Sequence, residues 1–284
     1  MKRFTLIGTF ALLLASLGMS ASVGRAAQTH APAHKSTSVL LYIGGSFGDL
    51  GFLDSAHAGV VRAQQKLGVS AKIIGQADPT QWQTQLLTLA ATRKYDLIIV
   101  TTDDSGMATA VKALTVRYPQ QRILDFDDNT FASKSSVTTI LYRQNEGSFL
   151  AGALAAMVAD SHLKYVTGKR IIGMVGGQQI QVILDFKDGF VQGAKTVDPR
   201  MQVKVTYVGG SGGNDTWANK PAGARLARSL YDQGASVVYQ VAGASGLGVL
   251  DQAKAIGRYA VGVDSNQDAL APGHVIGSVT KRVD

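Results

Sequence analysis

The sequence contains no cysteine, and this absence excludes several classes of site at once. A disulfide, a thiolate metal site, a catalytic thiol and a lipid-modified N-terminal (lipobox) cysteine all require that side chain. Histidine is also scarce. Its residues are dispersed along the chain at His30, His34, His57, His162 and His274. We therefore expect no metal site, and we expect no bound cofactor.

The chain also lacks a basic cluster, although its formal net charge is +8. Lys2, Arg3 and Arg25 lie in a leader that we expect to be removed, and the other cations are scattered over the polar faces of predicted helices. Nucleic-acid-binding proteins concentrate cations on one face, with aromatic residues among them. The charge is therefore typical of a solvated surface, and we expect no nucleic-acid partner.

Long apolar runs are absent beyond the start of the chain. The run Phe4–Leu17 is too short to span a bilayer comfortably. Basic residues precede it, and the small-residue pattern Gly24-Arg25-Ala26 follows it. This arrangement predicts a secretory signal peptide, residues 1–26, cleaved near Ala26, and then a flexible leader, residues 27–37. The mature protein is expected to be periplasmic or secreted.

Apolar, β-rich segments alternate with amphipathic helical segments along the rest of the chain. The predicted strands are 39–43, 71–74, 95–102, 122–127, 137–142, 171–175, 203–208, 236–242, 259–263 and 276–281. Alternation of this kind predicts an α/β fold of parallel strands with helices on both faces. We expect two doubly wound, Rossmann-like lobes with a ligand cleft between them.

The predicted domain boundaries follow from this pattern. Residues 38–143 form an N-terminal lobe and residues 144–267 a C-terminal lobe, with the polar stretch 143–147 crossing between them. Residues 268–284 are expected to return to the N-terminal lobe. A parallel edge strand without a covering helix is unusual. Because no helix is predicted after the last strand, we expect the chain to be C-terminally truncated.

Two of the predicted strands end in polar, glycine-rich turns. Strand 259–263 is followed by Asp264, and strand 39–43 by a turn that contains Asp49. A carboxylate is costly inside an apolar strand, so each is expected at the carboxyl end of its strand. Ligands bind at that edge of open α/β sheets. The pattern predicts a small polar ligand held between the two halves.

Six motifs, in sequence order, resemble those of one protein family. They are Ser46-x-x-Asp49-x-x-Phe52, Glu146–Gly152, Gly176-Gly177 with Phe186–Ala194, Gly243–Gly248, Gly262–Gln267 and Ser278-x-x-Lys281. Together they resemble the basic membrane protein (BMP) family of ABC-transporter substrate-binding proteins. The resemblance implies a type I periplasmic-binding-protein fold. It also implies a monomeric, non-enzymatic receptor that delivers a purine nucleoside, or a related small polar heterocycle, to a membrane permease.

The resemblance implies roles for individual residues as well. Asp49 matches an aspartate that hydrogen-bonds the base, and Phe52 matches an aromatic residue that stacks on it. Asp127 matches a strand-end carboxylate of the pocket. Asp264 matches a carboxylate that accepts ribose hydroxyls, and Lys281 a pocket lysine.

The chain departs from the family pattern at two places. Leu53 stands where the family usually has asparagine, which removes one polar contact. Gly209–Asp215 stands where the family often has an aromatic residue and a nearby aspartate. Trp217, further along, is therefore the candidate for a second aromatic face. Gly243, in the turn after strand 236–242, completes the candidate ligand-binding set.

Other interpretations of these residues stay open. Phe52 could be a core residue that starts a helix, and Asp49 could cap that helix. Asp264 could be a turn former, and the ligand could be a sugar or another small polar solute. A Gly-x-Ser-x-Gly pattern surrounds Ser211, and Asp264 and His274 follow it in hydrolase order. A secreted serine hydrolase using Ser211 is therefore the alternative of a different class. A flexible glycine loop is the favoured interpretation, and no catalytic residue is predicted.

Overall fold

Two parallel β-sheets organise the part of the chain that the computed structural model describes, residues 36–102, 105–209 and 215–284. Residues 36–284 form one compact unit. Each sheet has five strands, and every strand pairing in these residues is parallel. Helices connect most of the successive strands. The predicted α/β fold with two doubly wound lobes is confirmed.

The N-terminal lobe is built around the first sheet. Its strands are β1 (Ser38–Gly44), β2 (Ser70–Gln76), β3 (Leu97–Val100), β4 (Ile123–Phe126) and β5 (Val137–Ile140), in the spatial order β2-β1-β3-β4-β5. Its helices are α1 (Phe52–Leu67), α2 (Trp82–Ala91) and α3 (Ser105–Arg117). In β1, Leu40, Leu41, Tyr42 and Ile43 are completely buried, as expected of a strand covered on both faces.

The C-terminal lobe repeats this arrangement. Its strands are β6 (Ile171–Gly176), β7 (Gln202–Tyr207), β8 (Val237–Val241), β9 (Tyr259–Asp264) and β10 (Val275–Thr280), in the order β10-β9-β8-β6-β7. Its helices are α4 (Gln144–Ala159), α5 (Gln181–Val197), α6 (Asp215–Ala218), α7 (Lys220–Asp232) and α8 (Gly246–Ile256). Counted from the other edge, the second sheet has the order β7-β6-β8-β9-β10. In both sheets the order is therefore second, first, third, fourth and fifth strand of the lobe. Each sheet therefore has a switch point, where such folds bind ligands, between its first and third strands.

Local signals start the helices that follow the second strand of each lobe. A 3₁₀ turn, Pro79–Gln81, leads directly into α2, and the Asp78 carboxylate accepts a hydrogen bond from the Thr80 amide (2.9 Å). Asn219 caps α7 by accepting a hydrogen bond from the Ala222 amide (3.0 Å), and a proline occupies the first turn. Proline is tolerated there because first-turn amides have no intrahelical partner.

Glycines bring helices α4 and α5 into direct backbone contact. A methyl group added at Gly152 of α4 would overlap the carbonyl oxygen of Phe190, and one added at Gly193 of α5 would overlap that of Phe149. Only a residue without a side chain allows this approach. The contact fixes the position of α5, which carries Phe186 into the site described below.

The predicted crossover between the lobes is shorter than the sequence indicated. The polar stretch 143–147 is not a connecting loop, because α4 already begins at Gln144. Glu146, in the first turn, forms an ion pair with Arg143 (3.0 Å). The stretch is polar because the first turn of a helix leaves backbone amides without intrahelical partners, and here it faces solvent.

The C-terminal residues 268–284, predicted to return to the N-terminal lobe, are divided between the two lobes. Strand β10 pairs with β9 and extends the second sheet, so this part of the prediction is corrected. The edge of β9 offers backbone donors and acceptors that β10 satisfies. The last residues do reach the N-terminal lobe, where Asp284 forms an ion pair with Arg62 and Val283 packs against the buried cluster that includes Ile43.

Candidate functional site

All seven candidate ligand-binding residues line one cavity between the sheets. They are Asp49, Phe52, Asp127, Trp217, Gly243, Asp264 and Lys281. The cavity has a volume of about 220 Å³. The residues converge because the strands of each sheet are parallel, so that their carboxyl ends meet at one edge. Each of the seven residues ends a strand or lies in the segment that follows one.

Asp127 and Asp264 occupy equivalent positions in the two lobes. Asp127 directly follows β4, and Asp264 ends β9, which is the fourth strand of its sheet. Both have a left-handed backbone, with φ angles of 72° and 67°. Residues with a side chain rarely adopt this conformation, and such residues cluster at functional sites. Both side chains line the cavity, and both residues are buried.

A buried ion pair joins the lobes. Nζ of Lys281, which follows β10, contacts Oδ2 of Asp127, and only 4% and 5% of the two side chains are exposed. Burial raises the pKa of Asp127, and the positive charge of Lys281 opposes that rise. The second carboxylate oxygen, Oδ1, has no hydrogen-bond partner among the described residues. An orphaned buried acceptor is costly, and a ligand donor can satisfy it.

Three aromatic rings surround the ammonium group of Lys281. Nζ lies 5.0 Å from the ring centroid of Phe52, 5.2 Å from that of Tyr142 and 5.4 Å from that of Phe186. All three distances are within the range of a cation–π interaction. Phe52 and Tyr142 belong to the N-terminal lobe, whereas Phe186 belongs to the C-terminal lobe. The Phe52 ring therefore lies at the charged end of the cavity.

The site strongly perturbs the ionisation of Asp264. Burial raises its pKa from 3.8 to about 7. The positive charge of Lys281 opposes this rise, and the negative charges of Asp127 and Asp49 add to it. The backbone amide of Phe52 also favours the ionised form. Near neutral pH the carboxyl group therefore changes charge, and hydrogen-bond donors on a ligand would favour its ionised form.

Asp49 is held by its own loop and does not cap helix α1. Its Oδ1 accepts a hydrogen bond from the Gly51 amide (2.9 Å), and burial raises its pKa. Gly51 is the N-cap residue of α1, and no side chain caps it there. Asp54 shapes the same loop by accepting hydrogen bonds from the amides of Gly48 (2.9 Å) and Leu50 (2.7 Å). The loop holds Asp49 at the cavity wall.

Trp217, in the short helix α6, supplies an aromatic surface in the C-terminal lobe. Its ring packs against Gly177, where an added methyl group would overlap it. A methyl group at Gly243 would lie 3.6 Å from the same ring. Gly243 also has a left-handed backbone, with a φ of 55°, which glycine adopts without strain. These two glycines make room for the indole ring beside the cavity.

Sequence reasoning missed several apolar residues of the cavity wall. They are Trp82, Met107, Val182, Ile183 and Phe186. All of them lie in the first two turns of the helices α2, α3 and α5. Because each of these helices starts above the carboxyl edge of a sheet, apolar residues in its first turns are the signal that could have found them. Leu53, which replaces the expected asparagine, belongs to the same apolar wall.

The described residues do not support the hydrolase interpretation. Ser211 lies outside them. The carbonyl of His274 accepts a hydrogen bond from Ala260 (2.8 Å), near the amino end of β9, whereas Asp264 ends that strand. At ~3.3 Å per residue the two positions are about 13 Å apart. The ring Nδ1 of His274 instead contacts the carbonyl of Arg258 (2.8 Å).

No group of histidine, aspartate and glutamate side chains in residues 36–102, 105–209 and 215–284 is arranged to hold a metal ion. In these same ranges, no helix is both long and apolar enough to cross a membrane. The predicted signal peptide, with its cleavage point near Ala26, lies outside the residues that the structure describes.

Comparison with known proteins identifies the class of this site. A family model described as Bmp, ABC transporter substrate-binding protein PnrA-like, matches residues 36–284. The chain belongs to this family. The resemblance that the six motifs indicated is confirmed, and the family and the fold are those of solute-binding proteins of ABC transporters.

Individual relatives are moderately similar and longer. An uncharacterised lipoprotein of Pyrococcus abyssi is 29% identical over 279 residues, which are 96% of this chain and 67% of the relative. Basic membrane protein A1 of Borrelia garinii is 27% identical over 249 residues, 86% of this chain and 68% of the relative. A crystal structure of a solute-binding protein of an ABC transporter system from Aeropyrum pernix has a TM-score of 0.77 at 27% identity, and the match covers 87% of this chain and 67% of that one.

Proposed function

We propose that the chain is an extracytoplasmic receptor of an ABC importer and that its ligand is a purine nucleoside or a related small polar heterocycle. The observation that carries this proposal is that one cavity combines a charged cluster with an apolar wall. Asp127, Asp264 and Lys281 lie at the ends of β4, β9 and β10. Apolar side chains from α2, α3 and α6 line other parts of the same cavity. A ligand with hydroxyls on one side and a planar ring on the other matches both kinds of lining.

The charged end of the cavity is suited to hydroxyl groups. Ionised carboxylates accept hydrogen bonds from neighbouring hydroxyls through charge-assisted bonds. Asp264 and the orphaned Oδ1 of Asp127 are such acceptors, and Lys281 can donate to a ligand oxygen. Asp49 would accept from an N–H group of the base, and Phe52 would contact the ring where it joins the hydroxyl-bearing part. Gly243 allows the ligand to approach the backbone.

The same charges argue against a phosphorylated ligand. Asp49, Asp127 and Asp264 bring three carboxyl groups to the cavity, and Lys281, which is already paired with Asp127, brings one positive charge. A phosphate group would add negative charge beside carboxylates and would find no unpaired cation in this cluster. Like-charge contacts of this kind lower affinity and serve to exclude a competing ligand. We therefore propose an uncharged nucleoside.

A sugar or another small polar solute is the alternative ligand. The carboxylates at the ends of β4 and β9 would serve sugar hydroxyls as well as ribose hydroxyls. A sugar, however, presents hydroxyls around its whole ring. At the apolar end these groups would lose their hydration without gaining partners, at a cost of about 1–3 kcal/mol for each group. The apolar wall therefore favours a heterocycle.

We further propose that the protein works outside the cytoplasm as a monomer without enzymatic activity and passes its ligand to a membrane permease. The family supports the permease and the small-molecule ligand, because both belong to substrate-binding proteins of ABC transporters. The predicted signal peptide, cleaved near Ala26, supports the location. N-terminal sequencing of exported protein tests it, since the mature chain should begin close to Ala27.

A thermal-shift panel tests the proposed ligand class. Nucleosides, free bases, sugars and amino acids are added separately to the purified protein, and a ligand that binds the native state raises its melting temperature by mass action. We expect nucleosides to give the largest shifts, and Asp264→Ala to abolish them. Asp232→Asn, which removes an exposed carboxylate paired with Arg228, is the control and should retain the shifts. A panel in which sugars alone raise the melting temperature would contradict the proposal.

A further inference from the structure

The two tryptophans of the chain occupy equivalent positions in the two lobes. Trp82 is the first residue of α2, the helix that follows β2, and Trp217 lies in α6, the helix that follows β7. Strands β2 and β7 are the corresponding edge strands of the two sheets, each beside the first strand of its lobe. Both indole rings line the same cavity, one from each lobe.

Each tryptophan packs against a glycine at the end of the neighbouring strand. A methyl group added at Gly44, the last residue of β1, would lie 2.5 Å from Cζ2 of Trp82. A methyl group added at Gly177, directly after β6, would overlap the ring of Trp217. Strands β1 and β6 are themselves equivalent. The same device, a glycine under an indole ring, therefore forms the cavity wall in both lobes.

Trp82 presents carbon atoms to the cavity. Its indole Nε1 donates a hydrogen bond to the carbonyl of Gln76 (2.7 Å), which satisfies its single polar group. Only 5% of the residue is exposed, and its ring also belongs to the core of the N-terminal lobe together with Met107. The ring is thus a fixed apolar surface, which suits a flat heterocycle better than a hydroxyl-bearing group.

Trp82 lies away from the ion pair of Asp127 and Lys281. The Trp82 ring lies over Gly44, at the end of β1, and β1 and β4 are separated by two strand-to-strand steps, or about 10 Å at ~4.8 Å for each step. Asp127 follows β4, and the Phe52 ring is held near it by Lys281, 5.0 Å away. Trp82 therefore belongs to a part of the cavity wall that is distant from Asp127 and Phe52.

We propose that Trp82 and Trp217 bracket the planar ring of the ligand, one from each lobe, and that Trp82 is a specificity-determining residue of the site. This inference rests on the proposed function, because it assumes a ligand that contains a ring. It adds a second aromatic wall that the family motifs of this chain do not include. It also adds Trp82 to the residues that recognise the ring, beside Phe52, which contacts the ring where it joins the hydroxyl-bearing part.

Intrinsic fluorescence offers a direct test, because the chain has two tryptophans and each can be isolated by replacing the other. Adenosine and guanosine are titrated into the Trp82→Phe variant, where Trp217 alone emits, and into the Trp217→Phe variant, where Trp82 alone emits. We expect the emission of both variants to change on titration with a nucleoside. No change in the emission of Trp82 at saturating nucleoside would overturn the inference.

Affinity measurements separate stacking from general packing. By the usual strength of base–aromatic stacking, Trp82→Leu should weaken nucleoside binding roughly 5- to 150-fold. Trp82→Phe keeps an aromatic ring and should restore most of the affinity. Phe47→Leu is the control, since Phe47 packs on His57 (5.0 Å between ring centroids) and is not part of the cavity wall. It should bind nucleosides like the wild type.

The outcomes distinguish this inference from the proposed function. If no nucleoside binds the wild-type protein, the proposed function fails, and the inference fails with it. If nucleosides bind the wild type and Trp82→Leu equally well, the ligand class stands and the role of Trp82 is refuted. If Trp82→Leu does not fold, two other measurements decide the question. One is the nucleoside affinity of Trp82→Phe relative to the wild type, and the other is the emission of Trp82 in the Trp217→Phe variant.

Discussion

Lys281 is the residue on which the electrostatics of the cavity depend. Its ammonium neutralises Asp127 in a contact between residues 154 positions apart in the chain. Rings from both lobes surround it. Asp264 and Asp49 then share the cavity with a cation that is already paired. This explains why burial, together with neighbouring negative charge, raises the pKa of Asp264 to about 7.

Replacing Asp264 by asparagine should remove part of the pH dependence of stability. Folding raises the pKa of this carboxyl from 3.8 to about 7, so the folded state favours the protonated form. Its stabilising contribution is fully present below about pH 4 and is lost as the pH rises through about pH 7. Between about pH 5 and about pH 8, the wild type should lose free energy of unfolding relative to Asp264→Asn, as measured by urea unfolding.

A surface variant controls for the loss of a carboxylate as such. Asp188→Asn removes a carboxylate that is 68% exposed and contacts Lys187 (2.8 Å). It should follow the wild type across the same pH range. If Asp264→Asn and the wild type show the same pH dependence, the buried carboxyl does not titrate as proposed.

At the scale of elements, the close packing of α4 and α5 positions one wall of the cavity. Gly152 and Gly193 let the two helix backbones touch. Helix α5 contributes Phe186, whose ring lies beside the Lys281 ammonium and the Tyr239 ring. Ser148, on α4, shares a buried hydrogen bond with Tyr239 of β8 (3.2 Å). The helix pair and the sheet are therefore coupled directly below the site.

A single methyl group should disrupt this packing. In Gly193→Ala, the added carbon would overlap the carbonyl oxygen of Phe149, so the helices must separate. Overpacking of this kind costs about 1–3 kcal/mol and occasionally more. We expect denaturant titration to give a free energy of unfolding that is lower than that of the wild type by at least this amount. Thr196→Ala, in the same helix, loses a single hydrogen bond to Gln192 (2.9 Å) and should be much closer to the wild type. Equal stability of the two variants would refute the packing argument.

The elements were predictable from the sequence because parallel strands buried on both faces are short apolar runs. Strand 39–43 became β1 (Ser38–Gly44), and strand 259–263 became β9 (Tyr259–Asp264). The pairing of strands was less predictable. The sequence of β10 does not say that it pairs with β9, because the pairing depends on backbone groups far away in the chain. Strand β10 was assigned to the wrong lobe for that reason, whereas the last residues do reach the N-terminal lobe.

The candidate site was predictable to the extent that its residues follow strands directly. Asp127 and Asp264 stand out because a carboxylate cannot end an apolar strand cheaply unless it faces a polar site. Trp82 was not predictable in this way. Its place in the cavity depends on the order of the strands, and a tryptophan that starts a helix is otherwise typical of a core residue. The ion pair of Lys281 with Asp127 likewise depends on how the two lobes meet.

At the scale of the whole molecule, the repeated strand order accounts for the form of the site. Two sheets with the same order place equivalent residues on the two sides of one cavity. Asp127 corresponds to Asp264, and Trp82 corresponds to Trp217. The fold thus places carboxylates after the fourth strand of each sheet and the helices that carry the indole rings after the second. A ligand must carry both kinds of group to use the whole site.

Isothermal titration calorimetry with four compounds tests this central claim most directly: adenosine, guanosine, D-ribose and adenosine 5′-monophosphate. At least one nucleoside should bind ~10-fold or more tightly than ribose, because ribose cannot use the aromatic end. The monophosphate should bind more weakly than its nucleoside, because its charge meets the carboxylates. Phe52→Ala should weaken nucleoside binding by about 1–3 kcal/mol. Ribose binding as tight as that of the nucleosides, and unaffected by Phe52→Ala, would contradict the account.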